Sequence, residues 1–159
     1  MAPAARQQKS RARPIYVLNG PNLNLLGSRE PEVYGRMTLT EIGRQVITRA
    51  RAAGLIAEFR QTNSEAELIG WLQEARTKAS AVVLNAAGLS HTSVAVLDAA
   101  RALDRPLIEV HLSNPYAREE YRRHSFVSEA AVGVICGLGP EGYLYAIDYL
   151  AQRLKSRSQ

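Results

Sequence analysis

The 159-residue chain is informative first for what it lacks. Its only cysteine, Cys136, cannot form an internal disulfide, and this cysteine usage fits the reducing environment of the cytoplasm. The apolar run 132–136 around it predicts a buried structural thiol. No apolar run approaches the roughly 20 residues that cross a bilayer, and the polar, basic residues 1–13 lack the apolar segment of a secretory signal. We therefore expect a cytoplasmic protein that does not associate with membranes.

Several motifs of cofactor-dependent or nucleophilic chemistry are also missing. There is no phosphate-binding G-x-x-x-x-G-K-[ST] loop and no G-x-S-x-G nucleophile elbow. The three histidines, at positions 91, 111 and 124, do not have the H-x-x-x-H or H-E-x-x-H spacing of metal sites. We expect acid–base chemistry with no metal and no cofactor.

The basic charge is concentrated at the two ends of the chain. The net charge is +5 and the isoelectric point is about 9.7, values that alone would favour a nucleic-acid partner. However, seven of the 20 basic residues lie before position 14 or after position 150, which leaves 13 basic and 15 acidic residues between them. A folded body with slightly negative charge favours a small-molecule substrate, so we expect no nucleic-acid binding.

Short apolar strands alternate with helical patterns along the chain. Strands are predicted at residues 15–18, 55–60, 81–84, 106–112 and 132–136, and helices at residues 38–54, 64–78, 93–103, 117–123 and 140–154. Capping boxes at Thr38/Glu41 and Ser64/Glu67 mark two helix starts. The alternation predicts a flavodoxin-like, doubly wound α/β fold with a five-stranded parallel sheet in the order 2-1-3-4-5. One catalytic domain is expected over residues 14–154, with tails at 1–13 and 155–159.

The connection between the first strand and the first helical pattern is unusually long. It covers about residues 19–37 and carries three asparagines together with Arg29 and Tyr34. Most connections in such folds have two to six residues, and longer ones are often functional. Its leucines can pack against the body, so we interpret it as an active-site lid; the alternative is an elaborate surface turn.

Polar residues follow the third and fourth strands, where ligands bind in this fold. Asn85 and His91 offer hydrogen bonds, although His91 could instead be a neighbour of a helix cap. Glu109, His111 and Ser113 alternate along one strand and share a face, so Glu109 is expected to orient His111 unless the two form a purely structural pair.

Two arginines lie just beyond the fourth strand. Arg118 and Arg122 are four residues apart and would share a helix face. They are candidates for binding an anion or hydroxyl groups, or else for a solvated surface that pairs with Glu119 and Glu120.

Five segments together resemble one protein family. They are residues 18–24 (LNGPNLN), 29–35 (REPEVYG), 60–63 (RQTN), 91–95 (HTSVA) and 109–114 (EVHLSN). In this combination and order they resemble the type II 3-dehydroquinate dehydratases of the shikimate and quinate pathways, over about residues 15–154. The resemblance implies a lyase that removes water from 3-dehydroquinate through an enolate, by anti elimination, without metal or Schiff base.

The resemblance also implies roles for individual residues. Tyr34 corresponds to the base, Arg29 to the cation that activates it, Asn22 to the group that stabilises the enolate, and His111 to the general acid oriented by Glu109. The residues that correspond to substrate contacts are Asn85, His91, Leu112, Ser113 and Arg122.

Two further positions concern closure and assembly. Arg118 corresponds to a residue that helps close the lid. Asp98 corresponds to an acid that reaches a neighbouring subunit's site, which implies a trimer, and the family usually forms a dodecamer of four trimers.

Two departures from the family pattern are visible. Ala87 stands where many members have glycine, and Pro115-Tyr116 replaces a segment that often carries histidine. Two other functions remain possible from the residues alone, a flavodoxin-like binding domain without chemistry and a nucleic-acid-binding protein. The sequence does not distinguish a biosynthetic role from a catabolic one.

Overall fold

The computed structural model describes residues 12–156, which form alternating strands and helices. The five strands are β1 (Ile15–Asn19), β2 (Ala57–Gln61), β3 (Ala81–Asn85), β4 (Leu107–His111) and β5 (Gly133–Cys136). The helices are α1 (Pro31–Tyr34), α2 (Leu39–Ala52), α3 (Glu65–Lys78), α4 (Val94–Arg101) and α5 (Glu141–Ser156). Short 3₁₀ turns cover Leu23–Leu25, Ala87–His91, Pro115–Ala117, Glu120–Arg122 and Val127–Glu129.

All five strands are parallel and are arranged in the order β2-β1-β3-β4-β5. This confirms the predicted flavodoxin-like topology. The order reverses beside β1, so the carboxyl ends of β1, β3 and β4 meet at the crevice where this fold binds ligands. The register pairs Asn19 at the end of β1 with Asn85 at the end of β3.

Each face of the sheet packs against a separate pair of helices. On one face, α2 and α5 cover a cluster that includes Val17, Val83 and Ile147; on the other, α3 and α4 cover one that includes Leu18 and Leu72. Side chains on β1, β3 and β4 are buried on both faces, as expected for central parallel strands. These rigid strands fix the positions of the polar residues at their ends.

The two predicted capping boxes form to different extents. At α2 both bonds are present, because the Glu41 amide donates to the Thr38 hydroxyl and the Glu41 carboxylate accepts from the Thr38 amide. At α3 only the bond from the Glu67 amide to Ser64 forms. The Glu67 carboxylate accepts instead from the Thr62 hydroxyl, whose oxygen also accepts from the Ser64 amide.

The predicted helix at 117–123 is wrong. Two 3₁₀ turns lie there instead, and between them Arg118 and Glu119 have extended ψ angles of −164° and 145°. The first turn begins at Pro115, with the Asn114 side chain accepting from the amide of Tyr116. The extended pair separates Arg118 and Arg122 without removing either from the crevice.

Other differences are smaller. Helix α5 continues to Ser156, two residues beyond the predicted end, so the expected tail at 155–159 begins later; residues 1–11 and 157–159 lie outside the described part. Cys136 is half-buried rather than buried, and this burial raises the pKa of its thiol. No helix between residues 12 and 156 is long and apolar enough to span a membrane.

The long connection after β1 is ordered by its leucines. Leu23 and Leu26 are buried in the core below α2, while Leu25 is exposed. Within the connection, α1 is a single helical turn that ends at Tyr34, and that residue packs against the same core cluster. The connection therefore folds as a cover held by apolar contacts, and its residues Asn22, Arg29 and Tyr34 line the crevice.

Candidate active site

A pocket opens at the carboxyl ends of β1, β3 and β4, beneath the connection after β1. Ten of the twelve predicted site residues line it: Asn22, Arg29, Tyr34, Asn85, His91, His111, Leu112, Ser113, Arg118 and Arg122. The two that do not are Glu109, which lies behind His111, and Asp98, which is exposed on α4. The structure thus brings together residues that lie up to 100 positions apart in the sequence.

The Tyr34 hydroxyl contacts an arginine, although not the one that the resemblance implies. Arg118 Nη1 donates a hydrogen bond to the Tyr34 oxygen at 2.7 Å and another to Ser113 Oγ at 3.3 Å. The Arg29 guanidinium lies 5.9 Å from the centre of the Tyr34 ring, and its Nε is 3.3 Å from Glu30. Two cations therefore flank the phenol, and Arg118 makes the direct contact.

His111 is held from behind by a buried carboxylate. Its Nε2 donates to Glu109 Oε1 at 2.7 Å, which leaves Nδ1 for the pocket. The hydroxyls of Ser125 and Ser128 also donate to Glu109, whose side chain is fully buried. Burial by itself would raise the pKa of Glu109, but these three hydrogen bonds outweigh it and hold that pKa below its usual range. The carboxylate thus stays charged and fixes the imidazole.

His91 stands beside His111 with the two rings nearly parallel, 6.1 Å apart between their centres. Its Nδ1 lies 2.7 Å from the backbone carbonyl of His124 and, because a carbonyl only accepts, carries the proton. Burial lowers the pKa of His91, and the nearby His111 and Arg122 lower it further against the opposing effect of the His124 bond. A neutral His91 therefore presents Nε2 to the pocket as an acceptor, which suits a hydroxyl donor.

Asn85 closes the floor of the pocket at the end of β3. Its Oδ1 accepts from the amide of Ala87 at 3.2 Å. Ala87 has a φ of 52°, in the left-handed region that favours glycine, so the backbone there does accept a Cβ as the sequence required. Gly20 passes so close to this turn that a Cβ on it would lie 2.5 Å from the Ala86 oxygen.

Asn22 lines the pocket at the start of the connection after β1. Its backbone φ is 68°, and its amide donates to Asn63 Oδ1 at 2.9 Å. Within residues 12–156 its side-chain amide has no hydrogen-bond partner. The Asn22 side chain is thus available to a bound molecule.

Three residues beyond β4 complete the lining of the pocket. Leu112 and Ser113 directly follow the strand, and the Ser113 hydroxyl accepts from Arg118. Arg122 is oriented by Glu119, 2.9 Å from its Nε. In the described part of the chain, no group of three or more His, Cys, Asp or Glu side chains is arranged to hold a metal ion.

The sequence of the chain matches a known family. A model of the family described as dehydroquinase class II matches residues 13–151. The chain belongs to the class II dehydroquinases. It is 55% identical to a 3-dehydroquinate dehydratase of Phenylobacterium zucineum over 88% of this chain and 97% of that protein. It is 49% identical to 3-dehydroquinate dehydratase 2 of Pseudomonas aeruginosa over 91% and 97%, respectively.

Solved structures agree with this assignment. The crystal structure of a type II dehydroquinase from Propionibacterium acnes matches with a TM-score of 0.86 and 46% identity, over 89% of this chain and 97% of that one. The resemblance carried by the five sequence segments is therefore confirmed, as is the fold class that the alternation of strands and helices predicted.

Two serines of this dehydroquinase were missed by the sequence analysis. Ser125 and Ser128 lie in the irregular segment between β4 and β5, which has no periodic pattern. The sequence held only indirect evidence for them: Glu109 was predicted within a buried strand, and a buried carboxylate requires hydrogen-bond donors. The residues that supply them are identified only by the path of the chain past Glu109.

A glycine motif in the sequence was also missed when a cofactor-free site was predicted. Residues 137–142 (GLGPEG) follow β5 and precede α5 with the spacing G-x-G-x-x-G, which is typical of dinucleotide-binding loops. In this dehydroquinase the amide of Gly137 donates to the carbonyls of His111 and Ser113, and that of Gly139 to the carbonyl of Leu112. These amides are not available to phosphate; they anchor the end of β4 that carries His111.

Proposed function

We propose that the chain removes water from 3-dehydroquinate to give 3-dehydroshikimate, by anti elimination through an enolate. The observation that carries the proposal is that a phenol in contact with an arginine and an imidazole backed by a carboxylate line the same pocket. The relatives named 3-dehydroquinate dehydratase support the choice of substrate. No metal or other cofactor takes part.

In the first step, Tyr34 takes the proton from the carbon beside the ketone. A phenol does this only as phenolate, and a cation in contact stabilises that form. Arg118 donates to the Tyr34 oxygen and is placed to do this, with Arg29 as the second cation. Arg118 thus activates the base in addition to any part in closing the lid.

The enolate that forms needs donors near its oxygen. The Asn22 side chain is at the rim of the pocket with its hydrogen-bonding capacity unused by residues 12–156. We assign it to the enolate, directly or through a water, because a donor already in place stabilises charge as it develops.

In the second step, His111 Nδ1 gives a proton to the departing hydroxyl. The charged Glu109 at Nε2 stabilises the positive charge that the ring carries before it gives up that proton. The base comes from the cover and the acid from a strand end, an arrangement that suits removal of the proton and the hydroxyl from opposite sides of the ring.

The remaining lining residues bind the substrate. Asn85, Ser113 and the backbone that follows β4 at Leu112 are assigned to the carboxylate and a hydroxyl. His91, as an acceptor, and Arg122 are assigned to ring hydroxyls.

Assembly and location complete the proposal. Asp98 is exposed on α4 outside the pocket, so we assign it to a neighbouring subunit's site within a trimer, four of which form a dodecamer. We place the enzyme in the cytoplasm, where a chain with a single cysteine remains reduced, and in a biosynthetic or a catabolic pathway that handles 3-dehydroquinate.

The test is incubation with 3-dehydroquinate while the absorbance of the conjugated enone product is followed. We expect full activity with EDTA, and also after treatment with borohydride in the presence of substrate, because neither a metal nor an imine takes part. Lys78 is exposed at the end of α3, away from the pocket. Loss of activity under either treatment would contradict a cofactor-free elimination.

A second prediction distinguishes the two arginines. Arg118→Ala removes the hydrogen bond to Tyr34, so we expect kcat to fall about tenfold or more and the pH at which the rate reaches half its maximum to move upward. Arg29→Ala should shift this pH less, because its guanidinium has no hydrogen bond to the hydroxyl. Arg36→Ala, which removes an exposed charge from the same connection, is the control.

The pH–rate profiles of the three variants decide between the assignments. A profile that moves in Arg29→Ala but not in Arg118→Ala would identify Arg29 as the activating cation, as the sequence resemblance implied. If Arg36→Ala shifts the pH–rate profile equally, the loss of one positive charge would by itself explain the shifts in the other two variants.

A further inference from the structure

A buried tyrosine outside the pocket connects two of the strands that form it. Tyr143, on α5, is fully buried. Its hydroxyl donates to Asn19 Oδ1 at 2.6 Å and accepts from Asn85 Nδ2 at 2.8 Å. Asn19 and Asn85 are register partners at the ends of β1 and β3, and Asn85 lines the pocket.

These contacts form a series of hydrogen bonds, and the backbone groups at its two ends determine which atom donates in each bond. At one end the backbone carbonyl of Arg60 accepts from Asn19 Nδ2 at 3.0 Å, so Asn19 Oδ1 faces Tyr143. An amide oxygen can only accept, so Tyr143 donates to it and has only its lone pairs left for Asn85. At the other end the amide of Ala87 donates to Asn85 Oδ1.

The two ends agree on how Asn85 is turned. Its oxygen faces the Ala87 amide and its NH₂ group faces Tyr143. One N–H is used by the tyrosine, and the second has no partner among residues 12–156. Burial raises the pKa of the Tyr143 hydroxyl well above its usual range, so the proton that sets this direction stays in place.

We propose that Tyr143 is a positioning residue that holds Asn85 with an N–H, rather than its oxygen, toward the substrate. An N–H suits the oxygens of a carboxylate, which only accept, whereas the amide oxygen of a reversed Asn85 would repel them. Without the tyrosine hydroxyl, the 3.2 Å bond from the Ala87 amide is the one side-chain hydrogen bond within residues 12–156 that resists rotation of the Asn85 amide. The inference rests on the proposed function, since it assumes an oxygen-rich substrate in this pocket.

The experiment compares Tyr143→Phe with Tyr16→Phe. Both tyrosines are almost fully buried on the sheet, and each uses its hydroxyl in side-chain hydrogen bonds, Tyr16 with Glu74 at 2.8 Å. Both variants should unfold at lower urea concentration than the unaltered protein. Only Tyr143→Phe should raise KM for 3-dehydroquinate, about tenfold, with kcat within about twofold, because the lost contact is made equally in the bound substrate and the transition state.

A double-mutant cycle tests whether the effect passes through Asn85. In an Asn85→Ala background, Tyr143→Phe should leave KM unchanged, because the side chain that it positions is absent. Asn19→Ala provides a second route, since it removes the acceptor that sets the direction of the Tyr143 proton. It should raise KM severalfold even if Tyr143→Phe does not fold.

Each result has one meaning. An inactive unaltered protein would contradict the proposed function itself. An active protein in which Tyr143→Phe and Asn19→Ala keep the original KM would overturn only the positioning role. The same conclusion follows if Tyr16→Phe raises KM equally, or if Tyr143→Phe raises KM as much without Asn85 as with it.

Discussion

Tyr34→Phe is expected to fold normally and to lose nearly all turnover, with kcat reduced roughly 10²- to 10⁴-fold, the usual contribution of a general base. The substitution removes one oxygen and keeps the ring that packs against the core cluster. The free energy of unfolding should change by about 1 kcal/mol or less. The Tyr34 hydroxyl is only partly buried, so water can take its place as the acceptor for Arg118.

Tyr145→Phe is the matched control, since this tyrosine is half exposed on α5, away from the pocket. It should keep full activity. The measurement is kcat from the enone absorbance, together with urea unfolding followed by circular dichroism. A folded Tyr34→Phe enzyme with kcat within about tenfold of the unaltered protein would show that another group takes the proton.

His111→Ala is expected to abolish net dehydration to a similar degree, roughly 10²- to 10⁴-fold in kcat. The hydroxyl then leaves without a proton donor, while the base on the cover is untouched. KM should rise little, because Asn85, Ser113 and Arg122 are assigned to binding and, within residues 12–156, form their side-chain hydrogen bonds with groups other than His111.

The variant also leaves a charged carboxylate without its imidazole, so stability must be measured alongside activity. Glu109 keeps two donors, the hydroxyls of Ser125 and Ser128. We expect His111→Asn, which can still donate to Glu109, to be more stable than His111→Ala and equally inactive. A His111→Asn enzyme with substantial turnover would assign the acid to another group.

Local sequence signals were sufficient for the architecture. Buried strands such as Ala81–Asn85 read as short apolar runs, and the caps at Thr38 and Ser64 marked helix starts, so the strand order and most bounds were predictable. The failure at 117–123 has a physical cause. Glu and Arg favour helix there, but the extended backbone at Arg118 and Glu119 turns Arg118 toward Tyr34.

The site was less predictable than the fold, because several of its side chains pair with residues that are distant in the sequence. Sequence proximity and the resemblance associated Arg29 with Tyr34, whereas the hydrogen bond comes from Arg118, 84 positions away. Ser125 and Ser128 reach Glu109 in the same way, across loops that carry no periodic pattern. The sequence predicted which polar residues lie at the strand ends. Their hydrogen-bond partners depend on the conformations of the loops, which the sequence pattern did not predict.

The most direct test of the account is hydrogen exchange in deuterium oxide with the two variants side by side. Mass spectrometry of recovered 3-dehydroquinate reports whether the proton beside the ketone has been removed and replaced. Because Tyr34 acts before His111, we predict that His111→Ala incorporates deuterium into the substrate while forming almost no product, and that Tyr34→Phe incorporates none above the enzyme-free rate. Equal exchange in both variants, or exchange in Tyr34→Phe alone, would contradict proton abstraction by Tyr34.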